Sequence, residues 1–252
     1  MKPFFYFLCM TLLVQTSWAV NKNIRIGTEG AYEPFNYMDA KGQLLGFDID
    51  IAKALCKEMK VSCQFVTQSW DGIIPGLLMK KYDAIVASMS VTDKRKQKVL
   101  FTHPYYNTPA RYMVKKGSTL QPSIKELKGK TLGIQRGTTH HTYANEKLKG
   151  IVDLKLYNTQ EEANLDLLAG RLDAVLADST VLYNWVKNYA KDKVEFRGDE
   201  IKDAKYFGEG VAIALRKSDS ELAERFNKAL DEIQKNGTYD KIRKKYFPFE
   251  IR

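Results

Sequence analysis

The chain has 252 residues, 44% of them hydrophobic and 28% charged, with 40 Lys and Arg against 30 Asp and Glu. That balance excludes an intrinsically disordered chain, a collagen-like repeat and a disulfide miniprotein, and the length supplies one large domain or two of ordinary size. The formal charge of +10 admits nucleic acid, an anionic membrane surface or an acidic substrate as partner, and equally a plain solvated surface.

Residues 1–19 read as a targeting segment. Lys2 precedes an apolar run from Phe4 to Val14, followed by Thr16-Ser17-Trp18-Ala19. A short positive region, a brief hydrophobic core and small residues before Ala19 make a secretory signal, with cleavage expected after Ala19. The run is too short to span a bilayer, and Cys9 lies inside it, too early to be a lipid-attachment site. No later segment reaches the length of a membrane span, so a soluble, exported chain is expected. Cys56 and Cys63 then remain as an even pair in an oxidising compartment. A disulfide joining a helix end to the next strand is the reading, with two buried free thiols as the alternative.

The elements alternate. Ile24 to Thr28 reads as a strand, and Phe47 to Met59 as a helix on its three-and-four spacing. Cys63 to Val66 is a strand, Asp71 caps a helix carrying Ile73, Ile74, Leu77 and Leu78, and Asp83 to Met89 is a strand. The order then recurs: strand Thr131 to Gln135, a helix opened by Thr138, strand Leu154 to Tyr157, a helix capped by Thr159, and strand Asp173 to Ala177. Asp83-Ala84 and Asp173-Ala174 repeat 90 positions apart. Two similar α/β lobes with parallel-type sheets flanked by helices follow from this alternation. A strand from Gly210 to Leu215, a helix through Leu222, Phe226 and Ile233 ended by Gly237, and a last helix from Thr238 complete the first lobe. The lobes are expected at 20–108 plus 205–252 and at 109–204, with crossings near 107–110 and 202–206.

In open α/β sheets, ligands sit beyond the carboxyl ends of the strands. Glu29, Ser88, Gln135 and Asp178 occupy such ends, two per lobe, and suggest a cleft that closes on its ligand. Thr92 can cap a helix start that carries Arg95, a candidate grip on a carboxylate or an ordinary surface arginine. Thr138 and Thr139 offer a second helix start from the other lobe, or a plain cap. Asp178 can hold an ammonium or cap the next helix, and Glu29 can hold a second cation or begin a turn. Tyr32 and Trp70 can form flat walls, Trp favouring cations over its face, or belong to the core.

Catalytic patterns are weak. No G-x-S-x-G serine or activated cysteine serves His103, His140 or His141, and His140-His141 lacks further ligands at metal spacing. A P-loop, a dinucleotide glycine fingerprint and zinc-finger spacing are absent from the sequence. The basic run at Lys241, Arg243, Lys244 and Lys245 has no aromatic interleaving, which argues against nucleic acid. No catalytic set, metal or cofactor is expected.

An ordered set of short motifs runs along the chain: Gly46-Phe47-Asp48-Ile49-Asp50, Asp83-Ala84-Ile85, Thr92-Asp93-Lys94-Arg95, Phe101-Thr102-His103-Pro104-Tyr105-Tyr106, Gly137-Thr138-Thr139, Gly170-Arg171-Leu172-Asp173-Ala174, Tyr206-Phe207-Gly208 and Gly237-Thr238-Tyr239-Asp240-Lys241-Ile242. In these the chain resembles the periplasmic polar amino-acid-binding proteins of ABC importers, especially the arginine, lysine/arginine/ornithine and histidine binders, over essentially the whole mature chain. The resemblance implies the two-lobed periplasmic-binding-protein fold, a Cys56–Cys63 disulfide, a periplasmic monomer and a membrane permease with its ATPase as partner. It gives Arg95 the ligand α-carboxylate, helped by main-chain N–H groups at Ser90 and Thr139, and gives Asp178 with the Ser88/Ser90 region the α-ammonium. Tyr32 and Trp70 would flank the side chain, Glu29 would face its distal charge, and Gln135 and Thr138 would reach in from the second lobe. The family more often has Phe at Trp70, Asp at Glu29 and, in some members, Ser at Ala87. Arginine is expected first as ligand and lysine or ornithine next, with a histidine binder, a periplasmic dehydratase-type enzyme on the same fold and an exported polyanion binder as alternatives.

Overall fold

In the computed structural model, which describes residues 23–251, the expected signal at 1–19 lies outside the described residues. The repeated Asp-Ala pairs start equivalent strands. Asp83 accepts a hydrogen bond from the Arg25 N–H and returns its own N–H to the Arg25 carbonyl, at 3.0 and 2.8 Å. Asp173 does the same with Thr131, at 2.8 and 3.1 Å. Each Asp thus ties the start of a third strand to the first, and Ala84 lies beside Ile26 as Ala174 lies beside Leu132, both in parallel register.

Two five-stranded sheets result. The first runs Ser62–Thr67, Asn23–Thr28, Ala84–Ile85, Ala214–Leu215, Leu100–Phe101; the second runs Asp153–Tyr157, Thr131–Gln135, Ala174–Asp178, Ala110–Lys115, Val194–Ile201. The first three strands of each are parallel, but the fourth is antiparallel to both neighbours. The expected parallel-type sheets are therefore mixed. Ala110–Lys115 and Ala214–Leu215 enter straight from the opposite lobe, without the helical crossover that a parallel pairing needs.

Local chemistry accounts for most boundaries. The side chains of Thr92, Thr138 and Thr159 accept from the N–H groups of Arg95, His141 and Glu162 and cap their helices as expected. Asp71 does not: it sits inside a 3-10 turn, Trp70–Gly72, and the helix Ile73–Leu78 starts after Gly72. Pro75 falls in that helix's first turn, where its missing N–H costs no hydrogen bond. The strand expected to reach Met89 stops at Ile85, and beyond it Ser88 adopts a left-handed φ of 51°. A small meander, Ala31–Tyr32, Asn36–Met38 and Leu44–Leu45, was not foreseen.

Helices Phe47–Glu58 and Ser220–Lys235 bury Ile51, Leu55, Phe226 and Leu230 against Ile24 and Ile26 of the first sheet. Phe247 and Ile251 of the C-terminal segment join that core. Tyr206 and Phe207 of helix Ala204–Phe207 pack instead with Leu132, Ile134 and Leu176 of the second. The Cα atoms of Cys56 and Cys63 are 6.0 Å apart, a distance that a disulfide spans.

The Gly46-Phe47-Asp48 motif has a structural reason. Gly46 takes φ 129°, and a Cβ there would lie 2.2 Å from the Phe35 carbonyl oxygen. This close approach lets the Asp48 N–H reach that oxygen at 2.8 Å. The fully buried Asp48 carboxylate then accepts from the Ser88 N–H at 2.8 Å, the Tyr105 hydroxyl at 2.6 Å and the Asn36 amide at 3.2 Å. One carboxylate thereby holds the turn after the third strand in place. Asp48→Ala should strand these donors and cost about 3 kcal/mol, measured as a lower urea midpoint; an unchanged midpoint would remove the network from the stability of the lobe.

Candidate functional site

All ten residues singled out for a ligand line one cavity between the two sheets, together with Ala87 and His140. With the lobes this close it leaves room for about 20 Å³, little more than one water molecule. Glu29 follows the strand Asn23–Thr28, Tyr32 comes from the meander, and Trp70 from the turn beyond Ser62–Thr67. Ser88 and Ser90 follow Ala84–Ile85, and Arg95 lies in the short helix Asp93–Lys96. The second lobe contributes Gln135 and Asp178 from strand ends, and Thr138 to His140 from the start of helix Thr139–Lys147.

Arg95 is no surface arginine. Its Nη1 donates to the Ser90 carbonyl at 2.9 Å, and its guanidinium carbon stands 5.2 Å from the centre of the Trp70 ring. Burial pulls its pKa down to about 10, against the opposing pull of Asp178 and Tyr32. Asp178 precedes helix Ser179–Tyr189 but makes no side-chain cap to it. Its carboxylate turns into the cavity and accepts the Tyr32 hydroxyl across the cleft at 2.6 Å. Burial pushes the Asp178 carboxyl up to about 7, although Tyr32 and Arg95 both favour its ionised form.

A second bond crosses the cleft at Glu29, which accepts the Gln135 amide at 2.5 Å. Gln135 also donates to the Asn158 carbonyl at 3.1 Å, which fixes the amide from its own lobe. Burial raises the Glu29 carboxyl to about 7, Gln135 opposing and the charge of Asp71 adding. At the rim, the Tyr189 hydroxyl donates to Glu33 at 2.7 Å. These contacts hold the lobes closed.

Two hydroxyls are less available than the sequence suggested. Ser88 Oγ is 2.6 Å from the Tyr106 hydroxyl, and Thr138 Oγ1 donates to the Gln135 carbonyl while accepting from His141. Thr139 offers its backbone N–H, one of the first-turn donors that helix geometry leaves unpaired. His140 was not singled out for the ligand in the sequence, where it was weighed as a catalytic base without a nucleophile and as half of a metal-less histidine pair. Its place beside Thr139 in a first helical turn after a strand end was the available signal. Among the described residues no group of three His, Cys, Asp or Glu could hold a metal, and no helix is long and apolar enough to cross a membrane.

The chain matches the bacterial extracellular solute-binding proteins, family 3, over residues 24–249. The L-arginine-binding protein of Pseudomonas aeruginosa is 50% identical over 246 residues, 97% of this chain and 95% of that protein. The lysine/arginine/ornithine-binding periplasmic protein of Escherichia coli is 44% identical, with 97% of each covered. Among solved structures, an ancestral arginine-binding protein bound to arginine has a TM-score of 0.84 and 40% identity, over 90% of this chain and 99% of that one. With a closed cleft between two mixed α/β sheets and relatives that are themselves binders, the chain belongs to family 3 of the bacterial extracellular solute-binding proteins and is a binding protein rather than an enzyme.

Proposed function

We propose that the protein captures a basic L-amino acid, arginine first and lysine or ornithine next, in the periplasm and delivers it as a monomer to the permease and ATPase of an ABC importer. The observation behind this is the charge of the cavity: two carboxyls, Glu29 and Asp178, against the single guanidinium of Arg95. Arg95 with the Ser90 and Thr139 N–H groups takes the α-carboxylate, and Asp178 takes the α-ammonium. One negative charge then remains, at Glu29, and a cationic side chain balances it. A neutral side chain would leave Glu29 buried and uncompensated. A guanidinium is planar, weakly hydrated and suited to the aromatic faces of Tyr32 and Trp70, which ranks arginine above lysine. The name of the L-arginine-binding relative supports arginine, and that of the lysine/arginine/ornithine-binding relative supports the basic class.

Calorimetry over the basic amino acids and glutamine should give arginine the tightest binding, and glutamine bound more tightly than arginine would end the assignment. In the same assay, Arg95→Ala and Asp178→Ala should each weaken arginine binding by at least ~2 kcal/mol, as when a buried charge loses its partner. Wild-type affinity in either variant would remove that residue from the site.

The pH dependence has a definite sign. A cation requires ionised carboxylates, and burial lifts Glu29 and Asp178 to about 7. Below that pH binding must expel protons, so affinity should rise with pH up to about 7 and level off above it. Arginine should bind at least tenfold more weakly at about pH 5.5 than at about pH 7.5, a change of one pKa unit being tenfold. In the free protein the same raised carboxyls bind protons more tightly than in the unfolded chain. Its stability should therefore fall as pH rises from about 4 to 7. An affinity independent of pH over this range would contradict the placement of both charges.

We also propose that export removes residues 1–19 and that Cys56 and Cys63 are joined. Intact mass of the exported, unreduced protein should correspond to a chain beginning at Val20 and show no alkylation until it is reduced. A thiol titrating without reductant would overturn the pairing.

A further inference from the structure

We infer that His140 is a positioning residue for the ammonium-binding carboxylate: its neutral imidazole donates Nε2–H to Asp178 Oδ1 when the cleft holds its ligand, and with Tyr32 fixes the orientation of that carboxylate. This rests on the proposed capture of an amino acid between Arg95 and Asp178.

His140 is 3% exposed, and its Nε2, sealed from solvent, makes no hydrogen bond among the described residues. That nitrogen lies 3.6 Å from Asp178 Oδ1, just beyond hydrogen-bonding distance. Buried polar atoms without partners are rare in native folds and call for an explanation, and His140 lines the ligand cavity. The other carboxylate oxygen, Oδ2, already accepts the Tyr32 hydroxyl at 2.6 Å. Oδ1 is therefore the oxygen left to His140, and a shift of roughly 0.5 Å completes the bond. The imidazole also packs against Phe207, their ring centres 5.3 Å apart and their planes tilted by 49°, which restricts its rotation.

Charge explains why a histidine suits this position. Burial and the nearby Arg95 push the His140 pKa down to about 3, so the ring is an uncharged donor over the neutral range. A lysine or arginine could make the same bond, but its charge would cancel the excess negative charge that selects a basic ligand. An apolar residue would leave Asp178 with Tyr32 as its sole donor in the cavity. A neutral donor orients and stabilises the carboxylate without repelling the cation. The charged and titratable groups around Asp178 are Tyr32, Arg95, His140 and Tyr106, with Glu29 lining the same cavity.

The test is calorimetric titration of arginine into the wild-type protein, His140→Leu and His140→Gln between pH 5.5 and 8.5, with melting temperatures measured in parallel. His140→Leu should bind about tenfold more weakly at neutral pH, the scale of one hydrogen bond to a charged group. The pH at which the affinity levels off follows Asp178 in the free protein, where His140 Nε2 stands 3.6 Å away, and should stay in place. His140→Gln, which restores a neutral donor, should recover the affinity. A packing role alone would lower the melting temperature of the variants with no recovery of affinity in His140→Gln. Wild-type affinity in His140→Leu, or a loss that His140→Gln fails to recover, would overturn the positioning role. A wild-type protein that binds no basic amino acid would overturn the proposed capture, and the role of His140 with it.

Discussion

Two carboxyls and one guanidinium share a small volume from which water is largely shut out, and that imbalance constrains the rest of the site. Glu29 and Asp178 belong to different lobes, and each is bonded by a donor from the other lobe, Gln135 and Tyr32 respectively. Closing the lobes is therefore the same event as drying the charges. Without a cation, burial lifts both carboxyls to about 7, and the closed form holds protons in place of ligand. On the proposed capture, a cationic amino acid would reverse that preference by giving each carboxylate a partner. It can shift the lobes toward closure only by this difference in contacts between the open and closed states.

The two lobes use a common frame to different ends. Asp83 and Asp173 bond to the first strand of their sheets in the same way, and five residues beyond them stand Ser88 and Asp178. In the second lobe that position holds the carboxylate facing the cavity. In the first lobe the carboxylate stands one layer back, as Asp48, and reaches Ser88 through hydrogen bonds. Both are buried and both have a tyrosine donor. Asp48, however, also takes bonds from Asn36 and Ser88, which joins three segments of the lobe. Among the described residues Asp178 has Tyr32 alone as side-chain donor and retains acceptor capacity toward the cavity. The number of acceptor sites left unfilled separates a strut from a site.

How much of this was readable in the sequence follows the range of each interaction. The threonine caps, the Asp-Ala repeat and the polar strand ends are local patterns, and they located the lobes, the cleft and its lining. The antiparallel fourth strands left no such trace, because Ala214–Leu215 pairs with segments more than 100 residues earlier. The bonds of Glu29 with Gln135 and Tyr32 with Asp178, 106 and 146 residues apart, are equally invisible to periodicity. The roles of those residues came from the family resemblance, while their mutual engagement came from the fold. His140 fell between the two kinds of evidence: its neighbours Thr138 and Thr139 carried a cap signal, but its own unpaired nitrogen is apparent only in three dimensions.

Net charge points the other way from the site, and distance explains the contradiction. The +10 of the chain includes exposed residues such as Lys94, Lys98, Lys217 and Lys241. Charges of that kind are screened over about 8 Å at physiological ionic strength. A cationic amino acid approaching the protein meets a weak, salt-damped repulsion. Inside the cavity, on the proposed capture, it would meet Glu29 and Asp178 at contact, in surroundings where screening fails and each uncompensated charge is costly. Long-range charge thus affects the rate of encounter, whereas the short-range imbalance decides which ligand stays. A basic exterior is for that reason compatible with a basic ligand, and the sign of the whole chain says little about the sign of what it binds.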